Sequence, residues 1–133
     1  MPDECVVPIV GESGIVEARQ QGRRMALDLG MPTTSAIQVA TAISEVARNI
    51  LTYAGRGEIA LRTRQEGAHR AVEIVAEDDG PGIDDLAAAM IDGYSTQGGL
   101  GLGLPGAKRL MDEFEIVSEV GHGTRVRMVK WHR

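Results

Sequence analysis

Glu45 and Asn49 stand one helical turn apart in the run Ser44-Glu45-Val46-Ala47-Arg48-Asn49-Ile50, a spacing that suits phosphoryl chemistry. A carboxylate can accept the proton of an attacking hydroxyl, and an amide oxygen is a neutral ligand for Mg²⁺. Residues four apart share a helix face, so both groups could meet one substrate. An ordinary solvated helix face carries the same pattern, and spacing alone does not separate the two readings. Further on, Asp78-Asp79-Gly80-Pro81-Gly82 follows an alternating strand. There Asp78 could accept from the exocyclic amine of adenine, with Gly80 and Gly82 letting the base lie against the backbone. A tight acidic turn is the alternative. The third feature is the run Gly98-Gly99-Leu100-Gly101-Leu102-Gly103-Leu104-Pro105-Gly106. Exposed amides at a helix entrance attract phosphate, and Gly99, Leu100, Gly101, Leu102 and Gly103 offer main chain that few side chains block. Lys108 could reach back toward such phosphates, because helical side chains tilt toward the N-terminus. Arg48, beside Asn49, is the other phosphate-proximal candidate.

These groups need elements to hold them. Cys5 to Val10 reads as a strand, and apolar positions at helical spacing predict a helix over roughly Ile15 to Leu29. Gly30 and Pro32 punctuate, and a second helix follows from about Thr34 to Ala54, ended by Gly55-Arg56-Gly57. Glu58 to Gln65 and Arg70 to Asp78 read as a hairpin. Phe114, Ile116 and Ser118, then Val126 and Met128, repeat the alternation around a turn at Gly121-His122-Gly123. The strand phase puts Asp78 with Val72, Ile74 and Ala76, and Thr124 with Val126 and Met128, so both polar groups point toward the helix layer. A carboxylate aimed there is costly unless something pairs with it, which suggests a ligand-facing role. The other faces carry Arg62, Arg64, Glu73, Glu77, Glu115, Arg125 and Arg127 and are expected to be wet. The fold class is therefore α+β, a two-layer sandwich with one solvent-facing sheet side and helices on the other.

Composition narrows the rest. A chain of 133 residues suffices for a single domain, 1–133, with a real core. The formal balance of −5 argues against a sequence-independent nucleic-acid surface, which needs an excess of Lys and Arg. One cysteine, no charged-then-apolar leader and no long apolar run read as a cytoplasmic protein without a membrane partner. The segment from Asp84 to Gly98, with Asp84, Asp85 and Asp92 and no Lys or Arg, suits either a lid over a nucleotide or a plain surface segment.

Two look-alikes fall away. Gly101-x-Gly103-x-x-Gly106 matches a dinucleotide fingerprint, but that motif needs a strand directly before it, and Tyr94 to Gln97 is polar and turn-like. No Gly-x-x-x-x-Gly-Lys-Ser/Thr loop occurs, and the strand lysine and His-Arg-Asp loop of eukaryotic-type kinases are absent. His69, His122 and His132 lack metal-ligand spacing and read as surface residues.

The order of these motifs resembles the GHKL ATPase/kinase superfamily of gyrase, Hsp90, histidine-kinase catalytic domains and MutL. Glu45/Asn49 resembles its N box, Asp78-x-Gly80-x-Gly82 its first glycine box, Gly99 to Gly103 its second, and Gly123-Thr124 its last element. Longer strings, among them Asp92-Gly93-Tyr94-Ser95-Thr96 and Lys108-Arg109-Leu110-Met111-Asp112-Glu113-Phe114, are similar to the RsbT-type switch kinases of bacterial stressosomes. The resemblance implies the Bergerat fold, with a mixed sheet. It implies a serine/threonine kinase that phosphorylates STAS-domain partners and activates a PP2C-type phosphatase, with ATP as substrate. Adenine is then held by Asp78 and Thr124, Mg²⁺ by Asn49, and Glu45 is the base. A non-catalytic, nucleotide-dependent binding regulator and a detached histidine-kinase catalytic domain are the alternatives. Gln97 and Arg125 depart from the family pattern, and the first puts lid help with the γ-phosphate in doubt.

Overall fold

The computed structural model describes residues 4–82 and 103–132. Among these residues are three helices, α1 (Glu12–Asp28), α2 (Thr33–Tyr53) and α3 (Gly103–Leu110), and five strands. The strands are β1 (Glu4–Ile9), β2 (Gly57–Glu66), β3 (His69–Asp78), β4 (Glu113–Glu119) and β5 (Gly123–His132), in spatial order β1-β2-β3-β5-β4. The α+β sandwich is as expected, but the sheet is not mixed: every pairing among the described residues is antiparallel. The connections explain this. Two helices run out and back between β1 and β2, so β2 returns beside β1 in the opposite sense. β4 runs in the same direction as β3, but β5 lies between them and pairs with both.

Both long helices end where glycine permits it. Gly30 (φ 94°) follows α1, its N–H donating to Leu27 O at 2.9 Å while Met31 N–H donates to Ala26 O at 3.1 Å. This double closure in the left-handed region satisfies carbonyls that a longer helix would have paired. Gly55 (φ 82°) ends α2 in the same region, its N–H donating to Ile50 O at 3.0 Å. Gly22 lets α1 and α2 approach closely: a Cβ there would lie 2.1 Å from Ile43 Cδ1. Ile43, Val46, Ala47 and Ile50 of α2 pack with Ile15, Ala18 and Ala26 of α1 over Ile59, Leu61, Ile74 and Met128 of the sheet, and Leu104 and Ala107 of α3 complete the core.

The outer sheet face departs from simple alternation. Glu73, expected to be wet, is 2% exposed. Arg62 and Arg64 of β2 and Arg127 of β5 converge on its carboxylate, Arg127 Nε at 2.7 Å and Arg64 Nη1 at 3.3 Å. Arg64 in turn lies over the Trp131 ring, 5.7 Å from its centroid. Burial pushes the Glu73 carboxyl up, but hydrogen bonds and charge from Arg62 and Arg127 outweigh it and hold the group below the usual glutamate value. A lowered folded pKa means the stabilisation is present above the ordinary value and is lost as pH falls through the folded one. Glu73→Gln is therefore expected to cost about 2 kcal/mol at neutral pH. That lies below the range for fully buried pairs, because the arginines keep partial access to water. Thermal denaturation should show Tm lower by about 8 °C, with the gap closing on acidification.

Candidate functional site

At one end of the sheet three inward-facing polar side chains form a row. Asp78 of β3 is the register partner of Thr124 of β5, which is the register partner of Ser118 of β4. Thr124 is 7% exposed, and its Oγ1 lies 2.8 Å from Ser118 Oγ. Ser118 Oγ also donates to the carbonyl of Gly123 at 3.3 Å. Asp78 Oδ1 accepts from the Gly80 N–H at 3.0 Å. Desolvation raises the Asp78 carboxyl above its ordinary value, partly offset by hydrogen bonds from the backbone of Gly80 and Thr124.

Close chain approaches build this corner. A Cβ on Gly57 would lie 2.4 Å from Glu77 O, one on Gly80 would lie 2.5 Å from Ala54 Cβ, and one on Gly123 would lie 2.1 Å from Asp78 O. Gly82, at φ 81°, passes within 2.5 Å of Glu119 O on the same measure. Gly80 and Gly82 thus have a packing reason within the protein itself: they let the loop after β3 press against the end of α2 and the β4–β5 turn. The Gly121 N–H fastens that turn to Pro81 O at 2.8 Å.

Glu45 lies on α2, half-buried, and its Oε2 accepts from the Gly103 N–H at the start of α3 at 3.3 Å. The contact joins residues 58 apart in sequence and brings the carboxylate to a helix entrance. Gly103 has φ 68°, a conformation costly for any residue with a Cβ. Asn49, also half-buried, is one turn further along α2. From Glu45 to Ala54, where the Asp78 loop packs, the helix axis advances about 13 Å. Asn49 lies between these two points along α2.

Two candidates are not brought to this group. Arg48 is exposed, and its guanidinium pairs with Glu12 at the start of α1 at 3.1 Å. Lys108 is exposed in the last turn of α3. Gly99, Leu100, Gly101 and Leu102, together with the acidic segment from Asp84 to Gly98, lie outside the described residues. Of the histidines, His69 and His122 are exposed as expected, whereas His132 is half-buried at the end of β5. No group of three or more His, Cys, Asp or Glu side chains suited to a metal occurs among the described residues. Ser118 carried no functional reading in the sequence, although its signal was there: a hydroxyl at an inward position of an alternating strand, in the same phase as Phe114 and Ile116.

Residues 13–130 match the histidine kinase-like ATPase domain. The chain belongs to this family. Among curated proteins it is 50% identical over 133 residues, the full length of both chains, to the serine/threonine-protein kinase RsbT of Bacillus subtilis (strain 168). It is 33% identical over 105 residues to the anti-sigma F factor of Clostridium novyi (strain NT), covering 74% of this chain and 73% of that one. Among solved structures, the RsbU and RsbW domains of a Mycobacterium tuberculosis protein superpose with a TM-score of 0.61 at 18% identity, covering 98% of this chain and 31% of that one. This last likeness speaks to the fold. Among the described residues no helix is long and apolar enough to cross a membrane.

Proposed function

We propose that this chain is a one-domain, cytoplasmic partner-switching kinase that transfers the γ-phosphoryl group of ATP to a serine or threonine of a STAS-domain protein and, once released from it, activates a PP2C-type phosphatase. The enzyme class, a serine/threonine protein kinase of the histidine kinase-like ATPase family, rests on the full-length match to a kinase of that class. The observation that carries the chemical reading is the Glu45 carboxylate at the entrance of α3, 3.3 Å from a backbone N–H. Such an entrance attracts phosphate, which supports reading Glu45 as the base that acts beside a γ-phosphoryl group.

In the step itself the acceptor hydroxyl oxygen forms a new bond to the γ-phosphorus, the bond from that phosphorus to the β–γ bridging oxygen breaks, the hydroxyl proton passes to Glu45, and ADP leaves. Asp78 and Thr124 hold the purine, and main-chain amides at the start of α3 face the phosphates. Asn49 would offer one amide oxygen to Mg²⁺. This donor set fits an ion that usually takes only one or two protein ligands and completes its shell with phosphate and water, and its chemistry would be to offset phosphate charge.

Incubation with γ-labelled ATP and purified STAS-domain proteins tests the reading. Acid-stable label on serine or threonine is the expected result. Acid-labile phosphohistidine would make the chain a detached histidine-kinase domain, and nucleotide-dependent binding without transfer would make it a non-catalytic regulator.

A further inference from the structure

Ser118 is a neighbour of the purine site that need not touch the ligand. Its hydroxyl holds one proton, and two of its contacts bear on the β4–β5 turn, one with Gly123 O and one with Thr124 Oγ1. A carbonyl oxygen can only accept, so in the 3.3 Å contact with Gly123 O the proton belongs to Ser118. Both contacts are then made together only if Thr124 Oγ1–H donates to Ser118 Oγ across 2.8 Å. Thr124 has no second proton on that oxygen, so what remains for a ligand is lone pairs. Asp78, its register partner, presents carboxylate oxygens, which also only accept when ionised.

We infer that Ser118 is a positioning residue that fixes the Thr124 hydroxyl as an acceptor and so selects 6-amino purines over 6-oxo purines. The inference rests on the proposal that Asp78 and Thr124 bind adenine. An exocyclic amine brings two N–H donors to this pair of acceptors, whereas a 6-oxo group brings an acceptor and meets unmatched lone pairs. The constraint comes from register: Ser118 and Thr124 face each other across β4 and β5, one on each side of the tight turn at Gly121 and Gly123. Removing the Ser118 hydroxyl lets Thr124 rotate and donate, which relaxes the choice.

Calorimetry with ADP and IDP on the parent chain, Ser118→Ala and Ser118→Thr tests this. The parent is expected to favour ADP by at least about tenfold, the scale of one unmatched buried hydrogen bond. Ser118→Ala should shrink the ADP:IDP ratio about fivefold, largely through tighter IDP binding, while Ser118→Thr keeps the parental ratio. Merely loosening the fold would weaken both nucleotides together and leave the ratio alone. Ser118→Val, β-branched and without a hydroxyl, gives the same readout should the alanine variant not fold. An unchanged ratio in folded Ser118→Ala or Ser118→Val overturns the relay while leaving ATP binding intact. Absence of binding by either nucleotide to the parent overturns the adenine reading and the relay with it.

Discussion

Glu45→Gln is expected to lower phosphoryl transfer by about 10²–10⁴-fold, equivalent to about 3–5 kcal/mol of barrier, while ATP affinity stays within about twofold of the parent. Glutamine is the informative replacement. Its side-chain oxygen can still accept from the Gly103 N–H, so this link between α2 and α3 survives while proton acceptance is lost. Alanine would remove both, and a fall in rate could then come from a displaced helix. The measurement is single-turnover transfer from labelled ATP to a protein acceptor, with nucleotide affinity determined separately by calorimetry. Transfer at near-parental rate would rule Glu45 out as the base. A parallel loss of affinity would instead assign the side chain to holding the nucleotide.

Much of this site could be read from one sequence because its parts are local. The helical spacing of Glu45 and Asn49 and the strand phase of Asp78 and Thr124 each follow from a few residues, and the inward placement of the last two holds in the structure. What could not be read depends on strand order. Glu73 sits among the charges of an outer face, and alternation alone makes it wet. It is buried because Arg62 and Arg64 reach it from β2 and Arg127 from β5, and nothing local says that these two strands flank β3. The antiparallel sheet follows from the same fact, since β5 separates β4 from β3. Gly80 and Gly82 illustrate a subtler gap. A glycine announces that a Cβ is unwelcome without saying what excludes it, and here Ala54 and the Glu119 carbonyl do so before any ligand is considered. Ser118 needed its register with Thr124 to acquire meaning.

Asp78→Asn is expected to weaken ADP and ATP binding by about 10–100-fold, the range for losing a hydrogen bond to a charged group, and at the same time to raise the thermal stability of the nucleotide-free protein at neutral pH. The second effect follows from the first group's situation. Desolvation, reinforced by the nearby Asp79 charge, raises the Asp78 carboxyl above its ordinary value despite the Gly80 and Thr124 amides. A raised acid pKa means the folded chain holds that proton more tightly than the unfolded one. Stability therefore falls as pH rises from the ordinary aspartate value through the raised one, and stays at the lower level above it. Asparagine keeps an acceptor for the Gly80 N–H and does not ionise, so its Tm should exceed the parent's at about pH 7, and the advantage should vanish below about pH 3. Saturating nucleotide should then narrow or reverse the order, because the parent gains more binding free energy than the variant. A carboxylate kept at a cost to the empty fold is what a ligand-facing role demands. Were Asp78→Asn to leave nucleotide affinity unchanged, its place at the purine would be lost; were it to lower Tm at neutral pH, the carboxylate would be a structural anchor for the loop after β3.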